Sequence, residues 1–140
     1  MNGVSIQRKY MDNSHRHIFF HTWQKYINAI ALSDQEKEVV AVLKCYPEYT
    51  VAIEPEYIPS SKGENPYFVL GAHLELREQL RLNRPFGVVA VYAQAVERWG
   101  EKITLEKSLH VLQETLLCAH QTKQPPCYSK YLQSLRFALE

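Results

Sequence analysis

The chain has 140 residues, 46% of them hydrophobic, and 16 Lys and Arg against 15 Asp and Glu give a net charge of +1. This length predicts one domain, residues 1–140, whose apolar core can form without disulfides or a structural metal. The balanced charge excludes the strong positive excess that phosphate-backbone binding needs, so we expect no nucleic-acid partner.

The cysteines and the hydropathy pattern indicate a cellular compartment. Cys45, Cys118 and Cys127 are an odd, widely spaced set without a C-x-x-C motif, which predicts no disulfide framework and no zinc knuckle. The start of the chain lacks an apolar signal core, and no apolar run approaches the roughly 20 residues that span a bilayer. We therefore expect a cytoplasmic protein without a membrane partner.

The first part of the chain predicts two helices after a loose lead-in over residues 1–13. The first runs from Ser14 to about Ala31. Ser33 and Glu36 then form an S-x-x-E capping box, which predicts the start of a second helix. The helical spacing comes from apolar stripes, made in the first helix by Phe19, Trp23, Tyr26, Ile27 and Ile30 and in the second by Val39, Val40 and Leu43.

The middle of the chain predicts a loop and a central helix. Residues 47–53 are compatible with one or two further helical turns, and residues 54–64 contain the proline, serine and glycine of a surface loop. Asn65 followed by Pro66 predicts the start of a third helix, which runs to about Asn83. Apolar residues occupy most of its circumference, which is typical of a central helix.

The last part of the chain predicts three more helices. The fourth begins at Arg84-Pro85 and ends at Gly100, and the fifth spans about Thr104 to Thr122. The fifth has a stripe of Leu105, Leu109, Leu112, Leu116 and Ala119. After a proline pair, the last helix runs from Tyr128 to about Ala138. No alternation of period two occurs, so the predicted fold class is all-α, a compact bundle of five to six helices.

Two polar residues of the third helix are predicted to face inward. On a helical wheel, His73 falls inside an apolar stripe, and Arg77 lies one turn later between two stripes. A structural interpretation pairs them with backbone carbonyls or with carboxylates, because a buried polar group without a partner is costly. The carboxylates could be Glu97 and Glu101 of the same chain, or Glu75 or Glu78 of a neighbouring chain. A functional interpretation makes them the floor of a ligand or catalytic pocket.

Other histidines have metal-ligand spacing but lie on polar faces. His17 and His21 are four residues apart, and so are the members of a ladder formed by Glu106, His110 and Glu114. Each set lies away from the apolar stripe of its own helix, so we predict solvated faces, no metal site and no cofactor. Nucleotide-binding, nucleophile-elbow, zinc-protease and EF-hand motifs are missing, which disfavours an enzyme.

Four segments in the middle of the chain form a pattern, and weaker pieces precede it. The segments are Asn65-Pro66-Tyr67-Phe68, Gly71-Ala72-His73-Leu74, Arg77-Glu78-Gln79 and Arg84-Pro85-Phe86-Gly87-Val88, with weaker pieces at Phe19-Phe20, Trp23, Lys25 and Pro47-Glu48-Tyr49. Together they resemble a family of uncharacterised bacterial proteins, catalogued as a domain of unknown function (the 1841 family). The resemblance implies a helical cytoplasmic protein of about this length and supplies no activity. It also implies that the position of Val69 is often histidine, so valine here removes a possible partner of His73 in a metal site, whereas His73, Arg77 and Glu78 match the family pattern.

Two hypotheses about function follow. The first is a non-catalytic module that binds another protein or a second copy of itself. Tyr46, Tyr49 and Tyr57 cluster around the proline-bearing loop and suit an interface, although a core role is open to them as well. The second is a helical-bundle enzyme or small-ligand binder whose candidate site contains His73, Arg77 and Glu78, with histidine as base and arginine as anion clamp.

Overall fold

A computed structural model describes residues 16–51 and 66–140, and within these ranges the chain is all-α, as predicted. The predicted lead-in over residues 1–13 and the predicted loop over residues 54–64 lie outside the described residues. None of the described helices is long and apolar enough to cross a membrane. The helices are α1 (Arg16–Ile27), α2 (Asp34–Leu43), α3 (Pro47–Thr50), α4 (Pro66–Leu82), α5 (Val88–Trp99), α6 (Glu101–Thr122) and α7 (Tyr128–Leu139).

The chain divides into two compact units whose boundary falls within α4, between Leu74 and Glu75. Of the described residues, the N-terminal unit contains 16–51 and 66–74, and the C-terminal unit contains 75–140.

In the N-terminal unit, the capping box at the start of α2 forms as predicted. The Ser33 hydroxyl accepts a hydrogen bond from the Glu36 backbone N–H at 3.1 Å, and the Glu36 carboxylate accepts one from the Ser33 backbone N–H at 2.8 Å. The other carboxylate oxygen of Glu36 lies 2.8 Å from Nζ of Lys25 on α1. These bonds satisfy amides that a helix start leaves without partners and also link α2 to α1.

The core of the N-terminal unit combines α1, α2 and α3 with the first half of α4. The predicted inward face of α2 is confirmed, because Val39, Val40 and Leu43 are buried. The predicted stripe of the first helix is only partly buried: Phe19 is inside, whereas Ile27 and Ile30 are more than half exposed. Helix α1 ends at Ile27 instead of the predicted Ala31, so Ile30 lies beyond it. The residues that make the core cluster are Phe19, Val39, Val42, Leu43, Tyr49, Tyr67 and Leu70.

In the C-terminal unit, α5 begins later than predicted. Pro85 lies in a turn, and the helix starts at Val88. The side-chain oxygen of Asn83 accepts hydrogen bonds from the backbone N–H groups of Gly87 and Val89, both at 3.2 Å. Gly87 has φ +100°, a backbone conformation that glycine adopts without steric cost. The turn and this side-chain cap therefore set the start of α5.

Helix α6 packs against both α5 and α7, but its buried face is not the leucine stripe predicted from the wheel. Thr104 and Ser108 are completely buried, whereas Leu105 and Leu109 are only partly buried. Leu112, Leu116 and Ala119 are buried as predicted. Because the neighbouring helices cover the side with the small hydroxyl residues, the buried face near the start of α6 is rotated from its most apolar side.

The end of α7 is held against the end of α5. The backbone carbonyl of Leu139 accepts hydrogen bonds from the Trp99 indole N–H at 3.0 Å and from the Arg98 guanidinium at 3.3 Å. A helix leaves its last carbonyls without intrahelical partners, so these side chains satisfy one that would otherwise depend on water. The contact therefore links the ends of α5 and α7.

Candidate functional site

His73, on the first half of α4, points into the N-terminal unit. Its side chain is only 4% exposed, and Nδ1 lies 3.1 Å from the Tyr46 hydroxyl, with the two rings packed edge to face. The predicted inward orientation is therefore confirmed. In this contact the partner of the imidazole is the hydroxyl of Tyr46, which lies between α2 and α3. The predicted partner was a backbone carbonyl or a carboxylate.

Arg77 and Glu78 lie on the half of α4 that belongs to the C-terminal unit. Both side chains are partly buried. Glu78 accepts hydrogen bonds from the guanidinium of Arg81, one turn further along the same side of the helix. The carboxylate of the predicted site is thus engaged by a neighbour on its own helix.

A buried polar cluster in the C-terminal unit consists of residues that the sequence patterns did not indicate as a site. We name it the Glu75 cluster, and it consists of Glu75, Gln79, Tyr128 and Tyr131. Oε2 of Glu75 accepts hydrogen bonds from Nε2 of Gln79 at 3.3 Å and from the Tyr128 hydroxyl at 3.4 Å. The Tyr131 hydroxyl donates to Oε1 of Gln79 at 2.7 Å. The cluster therefore joins α4 to α7 through polar side chains.

Burial controls the electrostatics of the Glu75 cluster. Glu75 is 7% exposed, and loss of solvation raises the pKa of its carboxyl. The hydrogen bonds from Gln79 and Tyr128 oppose that rise in pKa, and the nearby charge of Glu78 adds to it. Burial and the Glu75 charge also raise the pKa of the Tyr128 and Tyr131 hydroxyls. Oε1 of Glu75 has no hydrogen-bond partner in the described part of the chain.

The signal for this cluster was present in the sequence. Glu75 and Gln79 are one helical turn apart, at i and i+4 of the helix predicted to be the most buried, and Tyr128 and Tyr131 share a face of the last helix. Helical-wheel positions alone did not distinguish Glu75 and Gln79 from the solvated charged residues of α4. The helix that covers them is α7, and its Tyr128 lies 53 residues after Glu75 in the sequence.

A groove runs between α6 and α7 on the outside of the C-terminal unit. It has a volume of about 490 Å³ and continues into a second depression of about 360 Å³, which shares His110, Val111 and Ala138 with it. We name the two together the α6–α7 groove. On α6 its lining extends from Glu106 to Thr115, about 14 Å at 1.5 Å per residue. Neither depression is lined by His73 or Arg77.

The α6–α7 groove combines an aromatic side chain with a close contact between a histidine and a glutamate. Phe137 lines it and is 83% exposed, an unusual position for a phenylalanine. His110 lies 2.8 Å from Glu114, from Nε2 to Oε1, and both side chains are largely in solvent. The prediction that the Glu106, His110 and Glu114 ladder occupies a polar face is confirmed, because all three side chains are exposed, and that face also borders the groove.

Other candidates from the sequence are exposed or lie outside the described ranges. The His17 and His21 rings are 5.7 Å apart and exposed on α1. No group of three or more metal-ligating side chains is found in the described residues. Tyr49 belongs to the core of the N-terminal unit, so the interface interpretation is wrong for that residue, and Tyr57 is outside the described residues.

The cysteines are free and exposed. Cys127 precedes α7, where a hydrogen bond with the Ser129 hydroxyl, followed by one from the Lys130 backbone, lowers the pKa of its thiol. The sulfur and the Ser129 oxygen are 3.4 Å apart. An exposed thiol in this position is chemically accessible, but neither the Ser129 hydroxyl nor the Lys130 backbone can serve as a general base for it.

A family model matches most of the chain. Residues 11–137 match the model described as a domain of unknown function (DUF1841). No curated protein and no solved structure matches the chain. The family match covers the described helices almost completely, including α4, the Glu75 cluster and all but the last residues of α7.

Proposed function

The chain belongs to the DUF1841 family, a domain of unknown function, and we propose that this member is a non-catalytic module of the bacterial cytoplasm that binds another protein. The contact surface is the α6–α7 groove. Three exposed, free cysteines support a reducing compartment, in which thiols stay unpaired. The resemblance to uncharacterised bacterial proteins supports the bacterial assignment.

The observation that carries this proposal is Phe137 beside the α6–α7 groove. A largely exposed phenylalanine costs solvation free energy unless another surface covers it, and aromatic side chains in pockets are the usual anchors of protein interfaces. The groove is as long as two to three helical turns, which suits an amphipathic helix of a partner. Its lining mixes apolar side chains with polar ones, as interfaces do.

Photo-crosslinking tests whether this surface meets a protein. The photoreactive amino acid benzoylphenylalanine is placed at position 137 in the full chain, in cells that produce the protein, and the control carries it at position 86. Phe86 is as exposed as Phe137 but does not line the groove. We expect one discrete protein adduct from position 137, lost when Ser134→Arg obstructs the groove. No adduct from position 137, or equal adducts from both positions, contradicts the proposal.

A second candidate function is supported by the Glu75 cluster. It is a helical-bundle enzyme or small-ligand binder, for which the sequence predicts His73, Arg77 and Glu78. In the C-terminal unit it gains one observation, the buried Oε1 of Glu75 that lacks a hydrogen-bond partner among the described residues. A small molecule with an ammonium or hydroxyl group would satisfy that oxygen. Ligand-observed NMR with such compounds tests it, because binding lost in Glu75→Gln favours a ligand site, and no binding to the parent opposes it.

A further inference from the structure

We propose that the occupant of the α6–α7 groove is the same groove of a second copy of this chain, so that the protein forms a symmetric dimer. This inference rests on the proposed function, because it names the partner of the surface proposed there. A two-fold interface requires a patch that complements itself. The groove has the three properties that such a patch needs.

The first property is a projection beside a recess. Phe137 stands in solvent on α7, and the recess next to it is lined by Val111, Thr115 and Ala138 from the two helices. A two-fold axis over the groove places each Phe137 in the recess of the other copy, so that both aromatic rings leave water in one step. A buried aromatic side chain at the centre of an interface is the typical energetic anchor.

The second property is reciprocal charge. His110 and Glu114 are one turn apart on α6, and both side chains are exposed. When two copies of α6 run antiparallel, setting His110 opposite the partner subunit's Glu114 automatically sets Glu114 opposite the partner subunit's His110. Both contacts can therefore form across the axis without any change of register, and each is an ion pair when His110 is protonated.

The third property is the absence of a strong net charge. Among the charged residues that line the groove, Glu106 and Glu114 are opposed by Lys107 and, when it is protonated, by His110. Two copies of such a surface approach without strong repulsion. A groove that attracted a nucleic acid or an acidic peptide would instead need a clear excess of positive charge.

Sedimentation velocity of the purified full chain over a wide range of concentration tests the dimer. We expect the mass to rise from that of one chain to that of two. Phe137→Glu should weaken dimerisation at least about thirtyfold, the effect of losing an interface anchor. Phe86→Glu, at an equally exposed position outside the groove, should leave the dimer intact. Circular dichroism confirms that both variants stay folded.

A charge exchange tests the register. His110→Glu sets like charges against each other and should weaken the dimer several-fold, and adding Glu114→His should restore it. The inference is overturned if the chain is monomeric at every concentration. It is also overturned if Phe137→Glu leaves the dimer unchanged, or if Phe86→Glu disrupts the dimer equally. If position 137 then crosslinks a different protein, the proposed function stands and only the identity of the partner changes. If it crosslinks nothing, the proposed function fails as well.

Discussion

The contrast between two histidines shows how burial decides the energetic role of a residue. His73 is enclosed and bonded to Tyr46, whereas His110 is exposed and paired with Glu114. His73→Ala should lower the free energy of unfolding by about 1–3 kcal/mol, because it removes packing and a hydrogen-bond partner of the Tyr46 hydroxyl. In the monomeric chain, where the His110 side chain is largely in solvent, His110→Ala should change it by no more than about 0.5 kcal/mol.

Urea denaturation of the two histidine variants beside the parent checks this prediction. Equal destabilisation by both would show that the His110 face is wrongly assigned. A neutral or stabilising His73→Ala would favour a functional histidine, since residues retained for function often reduce stability.

The Glu75 carboxyl predicts a pH dependence of stability. The pKa of this carboxyl is raised in the folded protein. At pH values between its ordinary pKa and its folded pKa, the native state therefore binds more protons than the unfolded chain. Stability from this group is therefore complete below the ordinary pKa of 4.5 and is lost as the pH rises through the folded pKa. Glu75→Gln, which has nearly the same shape and no charge, should gain stability over the parent as the pH rises.

Unfolding free energies measured by urea at several pH values from mildly acidic to mildly alkaline check the Glu75 prediction. The matched control is Glu97→Gln, at an exposed position of α5, which should change the free energy of unfolding by no more than about 0.5 kcal/mol. A difference between Glu75→Gln and the parent that does not vary with pH would show that the carboxyl is solvated.

At the level of the helices, the capping box of α2 is predicted to contribute measurably to stability. Ser33→Ala removes the acceptor for the Glu36 N–H and should cost about 0.5–2 kcal/mol. Ser33→Asp keeps an acceptor at the same position and should retain most of the stability. Gln121→Ala, within α6, exposed and outside the groove, is the control and should be neutral or slightly stabilising. Thermal unfolding distinguishes these variants, and an unaffected Ser33→Ala would mean that water replaces the cap.

The buried face of α6 leads to the opposite expectation, a stabilising substitution. Thr104 is completely buried, and its hydroxyl has no hydrogen-bond partner in the described ranges. Thr104→Val has almost the same shape and should raise the free energy of unfolding by about 1 kcal/mol. Thr115→Val on the same helix should give no gain, because the Thr115 hydroxyl donates to the Val111 carbonyl at 3.0 Å. Destabilisation by Thr104→Val, measured in urea, would show that its hydroxyl is satisfied.

For the molecule as a whole, we predict that protein purified without an affinity tag retains no stoichiometric transition metal. His17 and His21 are exposed on α1, and His110 pairs with Glu114 in solvent. Exposed pairs of ligands bind metal weakly in comparison with a closed set of three or four. Elemental analysis after dialysis checks this prediction, and about one equivalent of zinc, iron or manganese would contradict it.

Features that depend on neighbouring residues could be predicted from the sequence. The all-α class, the capping box at Ser33, the start of α4 at Pro66 and the end of α5 at Gly100 follow from periodicity, caps and turn residues within a few positions. The inward orientation of His73 was predictable for the same reason, because a helix places every fourth residue on one face.

Contacts between distant groups became visible with the tertiary structure. The contact between Tyr46 and His73 joins residues 27 positions apart, and that between Glu75 and Tyr128 joins residues 53 apart. The α6–α7 groove and the burial of Thr104 in place of Leu105 also depend on how separate helices pack together. Local propensity sets the axis and faces of a helix, but its buried side depends on the shape of the surfaces packed against it, which no nearby residue specifies.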